Sequence, residues 1–167
     1  MKKIFFLTQL VFFSCLTIVI FKTNAATSAT VGATVTFQNV AVTISSGSVS
    51  YGTLVPSGSQ TTHILGQSQV ATNAGNVNSI FTIKGFSTVA WALGATTAAN
   101  QYVHEFCTTS CGTFPSNYTA LTYNYSTLAG SVAASGTSTF NLGIIMPSTS
   151  SSYTVQSPNV DVMAAAN

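Results

Sequence analysis

The chain has 167 residues, of which 46% are hydrophobic and only 4% are charged, whereas an ordinary soluble domain is about a quarter charged. Three of the four lysines lie in or beside an apolar N-terminal run, and arginine is absent from the sequence. Beyond residue 25, one base, Lys84, and two acids, Glu105 and Asp161, remain. This composition argues against nucleic acid or an anionic membrane surface as a partner and against a calcium loop. It is typical of an extracellular β-domain that works through its surface.

Residues 1–25 have the pattern of a signal peptide, with two lysines, an uncharged apolar stretch over residues 4–21 and small residues before Ala26. The expected cleavage follows Ala25. The apolar stretch is near the lower limit for a membrane span and is followed by Lys22, so an uncleaved anchor is the alternative. The protein is therefore expected to be bacterial and secreted or on the extracellular cell surface, touching a membrane only through this segment if it stays attached.

Residues 26–167 are expected to form a single β-domain, because about 140 residues suffice for one hydrophobic core. Apolar residues alternate with polar ones, and turn residues arrive at short intervals, a pattern that favours short antiparallel strands. The sequence predicts a hydrophobic N-terminal signal helix followed by an all-β, antiparallel sandwich of about eight or nine strands. The alternating stretches from which these strands are expected lie around residues 35–37 and 40–44, separated by a bulge or a turn at 38–39, and around residues 49–54, 68–72, 80–84, 91–93, 101–106, 121–125, 140–146, 153–155 and 160–164.

Two stretches of sequence resemble secreted bacterial immunoglobulin-like β-sandwich modules. The first contains Asn-Ala-Gly-Asn at residues 73–76, Phe-Thr-Ile at 81–83 and Trp91, and the second runs from residue 133 to Pro147. The group includes CARDB-like modules and the NEW3-like modules of alpha-galactosidases, and camelysin-like and TasA-like matrix proteins share its general style. The resemblance spans residues 69–162. It implies an immunoglobulin-like sandwich and brings no catalytic residues with it.

Cys107 and Cys111 are the two cysteines outside the leader and are predicted to form a disulfide that rigidifies one loop. A metal site that also recruits His104 is the alternative, although it supplies three ligands and no evident fourth. His104 and Glu105 are expected to be a polar pair at a strand end beside this loop. An enzyme would require these two side chains and the cysteines to meet in one pocket. We expect no cofactor and no catalytic site.

The aromatic residues are the other candidates for function. Tyr102, Tyr118, Tyr123 and Tyr125 are candidate ligand contacts that could stack on a sugar ring, whereas Trp91 is expected to fill the core. A platform of exposed tyrosines would make the protein a polysaccharide-binding module.

The sequence favours a different function, that of a non-enzymatic structural or adhesive protein that associates with itself or with other surface proteins. Sheet edges in monomeric proteins are usually protected by lysine, proline or inward charge, and here Lys84 is the one lysine available. The small, uncharged residues 26–33 could add to the sheet edge of a neighbouring subunit.

Overall fold

The computed structural model describes residues 28–167, which form ten β-strands and no helix. The signal helix predicted over residues 1–25 lies outside this range. The chain divides after Thr36 into two compact units. In the first, the described residues 28–36 form neither helix nor strand and have exposed side chains; the second, residues 37–167, contains all ten strands. No helix in residues 28–167 is long and apolar enough to cross a membrane.

The strands are, in chain order, β1 (Val42–Ile44), β2 (Ser59–Thr61), β3 (Gln69–Asn73), β4 (Ser79–Gly85), β5 (Ala92–Leu93), β6 (Gln101–Cys107), β7 (Thr119–Ala120), β8 (Ser126–Val132), β9 (Thr137–Ile145) and β10 (Val160–Ala166).

The strands form two sheets. The larger has seven strands in the order β1-β3-β9-β6-β5, with β2 also paired to β9 and β7 also paired to β6. The smaller has three strands in the order β10-β4-β8. Every pair of strands is antiparallel except β5 with β6. An all-β, largely antiparallel fold is thus confirmed, with ten strands where eight or nine were predicted.

Strand β9 is the centre of the larger sheet because it is long enough to pair with different strands along its length. Its first half pairs with β3, and its second half lies between β2 and β6. The predicted alternation of Phe140, Leu142 and Ile144 points these three side chains to one face, where all are at most 5% exposed.

The core lies between the two sheets. Its main cluster combines side chains of the larger sheet, such as Phe106 and Leu142, with Phe81 and Ile83 of the smaller sheet. Trp91 is buried, as predicted, and packs with Tyr102 and Ile144 in a second cluster nearby. The two sheets therefore pack face to face as a sandwich.

Several predicted strands are wrong. Residues 121–125 are not a strand because the chain there crosses from β7 in the larger sheet to β8 in the smaller one. Leu121 still donates a backbone hydrogen bond to His104, and Thr122 accepts one from Gly85, so each end of the crossing belongs to a different sheet. Strands are likewise missing at residues 35–37, 49–54 and 153–155, whereas β8 was not predicted and β2 begins in a predicted loop.

Candidate functional site

A cleft of about 900 Å³ opens between the two sheets of the second unit. Its floor is made by the inward side chains of β9, and it extends past Ile44 of β1 to Val160 and Val162 of β10. Gln69, at the start of β3, also lines it. None of the lining residues is a lysine, arginine, aspartate or glutamate. The cleft is therefore an apolar groove whose polar groups are hydroxyls, amides, one histidine and the backbone.

The walls of the cleft are two segments, residues 49–54 and 153–159, that belong to no strand. Within residues 37–167, neither segment takes part in a backbone-to-backbone hydrogen bond, although side chains bond the backbone of Ser50 and the carbonyl of Thr154. Tyr153 and Val155 stand at the rim, and each side chain is 96% exposed. The cleft thus has wall segments without strand partners among these residues and exposed apolar side chains at its mouth, which are features that an added strand can use.

Tyr51 and His104 lie together in the lining of the cleft. The Tyr51 hydroxyl and Nε2 of His104 share a hydrogen bond of 2.9 Å, and the two rings meet edge to face. His104 is 1% exposed, and its Nδ1 has no hydrogen-bond partner among the described residues. Burial lowers the pKa of His104 to about 4 and raises the pKa of Tyr51 well above its ordinary value. Both side chains are therefore neutral at physiological pH.

His104 and Glu105 are not the strand-end pair that the sequence predicted. Strand β6 continues to Cys107, so both residues lie inside it and, as neighbours, point to opposite faces of the sheet. Glu105 lies on the outer face, where one carboxylate oxygen is buried without a partner in residues 28–167 and burial raises the pKa of the side chain. His104 and Glu105 therefore do not meet in one pocket.

The predicted disulfide between Cys107 and Cys111 is present, with the two Cα atoms 5.7 Å apart. The loop that follows lies on the outer face of the larger sheet, where the Phe114 ring packs directly against Gly143 of β9. Tyr118 meets Phe114 edge to face and donates its hydroxyl to the carbonyl of Cys111. In residues 28–167, no three histidine, cysteine, aspartate or glutamate side chains are grouped so that they could hold a metal ion.

The four candidate tyrosines are distributed over the molecule. Tyr102 is completely buried and donates its hydroxyl to the carbonyl of Phe86, so it offers no face to a ligand at the surface. Tyr118 is half-buried under the disulfide loop. Tyr123 is 56% exposed and Tyr125 is 37% exposed. Only these last two of the four present an aromatic surface to solvent.

Tyr125 belongs to a small surface group on the outer face of the smaller sheet. The Lys84 ammonium lies 4.4 Å from the centre of the Tyr125 ring and 5.0 Å from that of Phe86. The Tyr125 hydroxyl donates to the carboxylate of Asp161. Lys84 is on β4, the middle strand of its sheet, so the prediction that it could protect a sheet edge is wrong. This group combines exposed aromatic rings with one cation and one anion.

Some features of the cleft could be anticipated from the sequence and others could not. The alternation of residues 140–146 predicted the strand that forms the floor, whereas the walls come from two segments about a hundred residues apart in which strands were predicted at 49–54 and 153–155. Tyr51 was not singled out, because nothing local marks it as the partner of His104. No protein-family model, no curated protein and no solved structure matches this chain.

Proposed function

We propose that the chain is an exported, non-enzymatic structural or adhesive protein of the cell surface or extracellular space that associates with itself through its sheet edges. The observation that carries this proposal is the pairing of the two outer strands of the smaller sheet. Its outer strands, β8 and β10, have seven residues each and, within residues 28–167, each has a strand partner on one side only. Exposed edges of this kind are templates for pairing with another chain.

The chemistry of these edges supports the proposal. Strand β8 has no charged residue, and β10 has only Asp161, which is already engaged by Tyr125. Neither strand contains a proline or a lysine, the residues that usually prevent edge-to-edge pairing. A nearly uncharged surface also lacks the electrostatic repulsion that keeps protein molecules apart.

The location and the finer fold assignment are part of the same proposal. A disulfide is typical of proteins in oxidising surroundings outside the cytosol, and the signal-peptide pattern of residues 1–25 agrees with export. The chain also passes repeatedly between two packed sheets, as it does in immunoglobulin-like sandwiches. We therefore include an immunoglobulin-like relationship in the proposal.

Placing a lysine on an edge strand tests the function. Met163 of β10 is 41% exposed and pairs in register with Thr82 of the central strand β4, on the same face of the sheet. We expect Met163→Lys to weaken self-association, since a lysine on an edge opposes the addition of another strand. Thr82→Lys adds the same charge on a strand that already has both neighbours, and it should have little effect. Size-exclusion chromatography over a range of concentrations would measure the apparent mass of each variant. An equal increase of mass with concentration in the two variants would contradict edge pairing.

A second candidate function, binding of polysaccharide, is favoured by the exposed aromatic group. Phe86 and Tyr125 flank Lys84, and Tyr123 lies close by, its hydroxyl hydrogen-bonded to Ser87. Aromatic faces of this kind can stack on sugar rings. If the protein is retained on a glycan array, Tyr123→Ala should abolish retention, whereas Tyr153→Ala, which removes an exposed tyrosine elsewhere, should leave it unchanged.

A further inference from the structure

Residues 29–37 carry the pattern of a strand although they form no strand in the structure. Apolar residues occupy every odd position, and the four even positions between them hold three threonines and one glycine. Val31, Val35 and Phe37 are 91%, 97% and 91% exposed. A polypeptide that is β-branched, uncharged and apolar on one face is suited to pair with a sheet, and isolated in water it leaves that face unburied.

We propose that residues 29–37 of one copy of the protein bind as an added strand in the cleft of a second copy. This inference rests on the proposed self-association and adds a second contact between copies to the edges of β8 and β10. The occupant is a second copy of this chain.

The pattern of the segment matches the cleft. Residues 31, 33, 35 and 37 place four apolar side chains at alternate positions, and residues 140, 142, 144 and 146 line the cleft at the same spacing. Each set spans six residue steps, about 20 Å of extended chain. Exposed apolar side chains on the segment would be buried against Tyr153 and Val155 at the rim, which are themselves exposed.

The backbone and the charges are compatible with this docking. The wall segments, residues 49–54 and 153–159, make no backbone-to-backbone hydrogen bonds within residues 37–167, so an added strand would displace no strand pairing there. Only side chains of Gln67 and Gln156 bond their backbone, at Ser50 and Thr154, among these residues. Neither the segment nor the cleft lining contains a lysine, arginine, aspartate or glutamate, so docking buries no formal charge.

The position of Phe37 favours a neighbouring molecule over the cleft of the same chain. Asn76 donates to the carbonyl of Phe37 and accepts from the backbone N–H of Asn39, which fixes this part of the chain at the β3–β4 connection. The cleft lies near the other end of β3, at Gln69. Phe37, at which the segment joins the second unit, and the cleft are therefore near opposite ends of β3, and a contact between the segment of one copy and the cleft of the next would repeat from head to tail into an open polymer.

Charged substitutions at exposed valines test the inference. Val35→Asp would place a charge in the apolar cleft, and we expect the full-length protein to need at least about tenfold more protein for assembly. Val89→Asp is the matched control, since Val89 is also fully exposed and lies in the β4–β5 connection. Assembly of Val35→Asp at the wild-type concentration, measured by light scattering, would overturn the inference and leave self-association standing. A wild type that stays monomeric would overturn both.

Mixing two variants tests whether the segment of one molecule binds in the cleft of another. Val35→Asp retains a cleft but lacks a functional segment, whereas Val155→Arg retains the segment and carries a charge at the rim of its cleft. At a protein concentration at which neither variant assembles alone, we expect the mixture to form dimers that grow no further. Monomers in the mixture would show that the segment occupies its own cleft or another partner, and polymers in the mixture would show that assembly uses another surface. Either result would overturn the proposed docking.

Discussion

The buried pair of Tyr51 and His104 makes the stability of the protein depend on pH. In the folded protein His104 stays neutral down to about pH 4, whereas its ordinary pKa is 6.5. Between these values His104 binds its proton in the unfolded chain and not in the folded one, so its contribution to stability falls as the pH decreases. The nearest rings, Tyr51 and Tyr102, are kept neutral by burial in this range, whereas the raised pKa of Glu105 acts in the opposite direction. We expect His104 itself to contribute a loss of about 3 kcal/mol between pH 7 and pH 4.

Urea unfolding at several pH values measures this effect. His104→Gln should be less stable at neutral pH, because Tyr51 loses its partner, but its stability should change much less with pH. His63, on the exposed β2–β3 connection, provides the control, and His63→Gln should retain the wild-type pH dependence. Equal pH dependence in wild type and His104→Gln would exclude His104 as its source.

Asn73 is a second residue on which the fold depends. Its side chain is completely buried and makes three hydrogen bonds, to the carbonyls of Val77 and Val132 and from the N–H of Gly75. These bonds join the β3–β4 connection to β8, and so connect the two sheets.

We expect Asn73→Ala to reduce the free energy of unfolding by about 2–4 kcal/mol, because it removes three hydrogen bonds and leaves the buried carbonyl of Val132 without its side-chain partner. Asn76→Ala removes an exposed amide from the same connection and should cost no more than about 1 kcal/mol. Thermal unfolding of both variants would make the comparison. A cost for Asn73→Ala as small as that for Asn76→Ala would show that the buried amide does not connect the sheets.

Among the structural elements, the disulfide loop has the closest contact with the larger sheet. Gly143 of β9 has no side chain, and the Phe114 ring occupies the space where a Cβ would lie. We expect Gly143→Ala to cost about 1–3 kcal/mol through overpacking. Gly130→Ala, at a strand position with open space around it, should be close to neutral. Urea unfolding would compare the two.

Gly143→Ala also tests whether the Cys107–Cys111 disulfide holds the Phe114 ring in place. Replacing both cysteines by serine should cost about 2 kcal/mol, because the bond closes only a short loop. If the bond holds Phe114 against β9, Gly143→Ala should cost less in the serine variant than in the wild type. Strictly additive costs would mean that the loop stays in place without the bond.

The strands that the sequence predicted well have five to nine residues and a regular alternation of apolar residues over part of their length. In β3 and β4 the burial follows that alternation, whereas β6 and β9 are buried on both faces over much of their length. Strand β8 contains small residues and irregular pairing with β4, which hide its period. Residues 153–155 alternate but find no backbone partner among residues 37–167.

For the molecule as a whole, the sequence predicted the disulfide, the buried Trp91 and the layered β-fold. It could not predict the cleft, because its lining comes from strands in both sheets and from two segments that alternate without forming strands. The sequence also could not predict which tyrosines are exposed. Tyr102 and Tyr123 differ in burial because of tertiary packing and not because of local sequence.

The near absence of charge leads to a prediction for the whole molecule. Past residue 25 the sequence contains one lysine and two acids, so contacts between copies should depend on apolar burial and backbone pairing. Association driven by opposite charges weakens in salt, because the Debye length falls to about 3 Å at 1 M. Association of this protein should persist, since burial of apolar surface is not screened.

Sedimentation velocity of the wild-type protein over a range of concentrations, at low salt and at about 1 M salt, is the most direct test. We expect the mean mass to rise with concentration to the same extent or further at high salt. A protein that remains monomeric at every concentration, or assemblies that dissolve in salt, would contradict self-association through uncharged sheet edges.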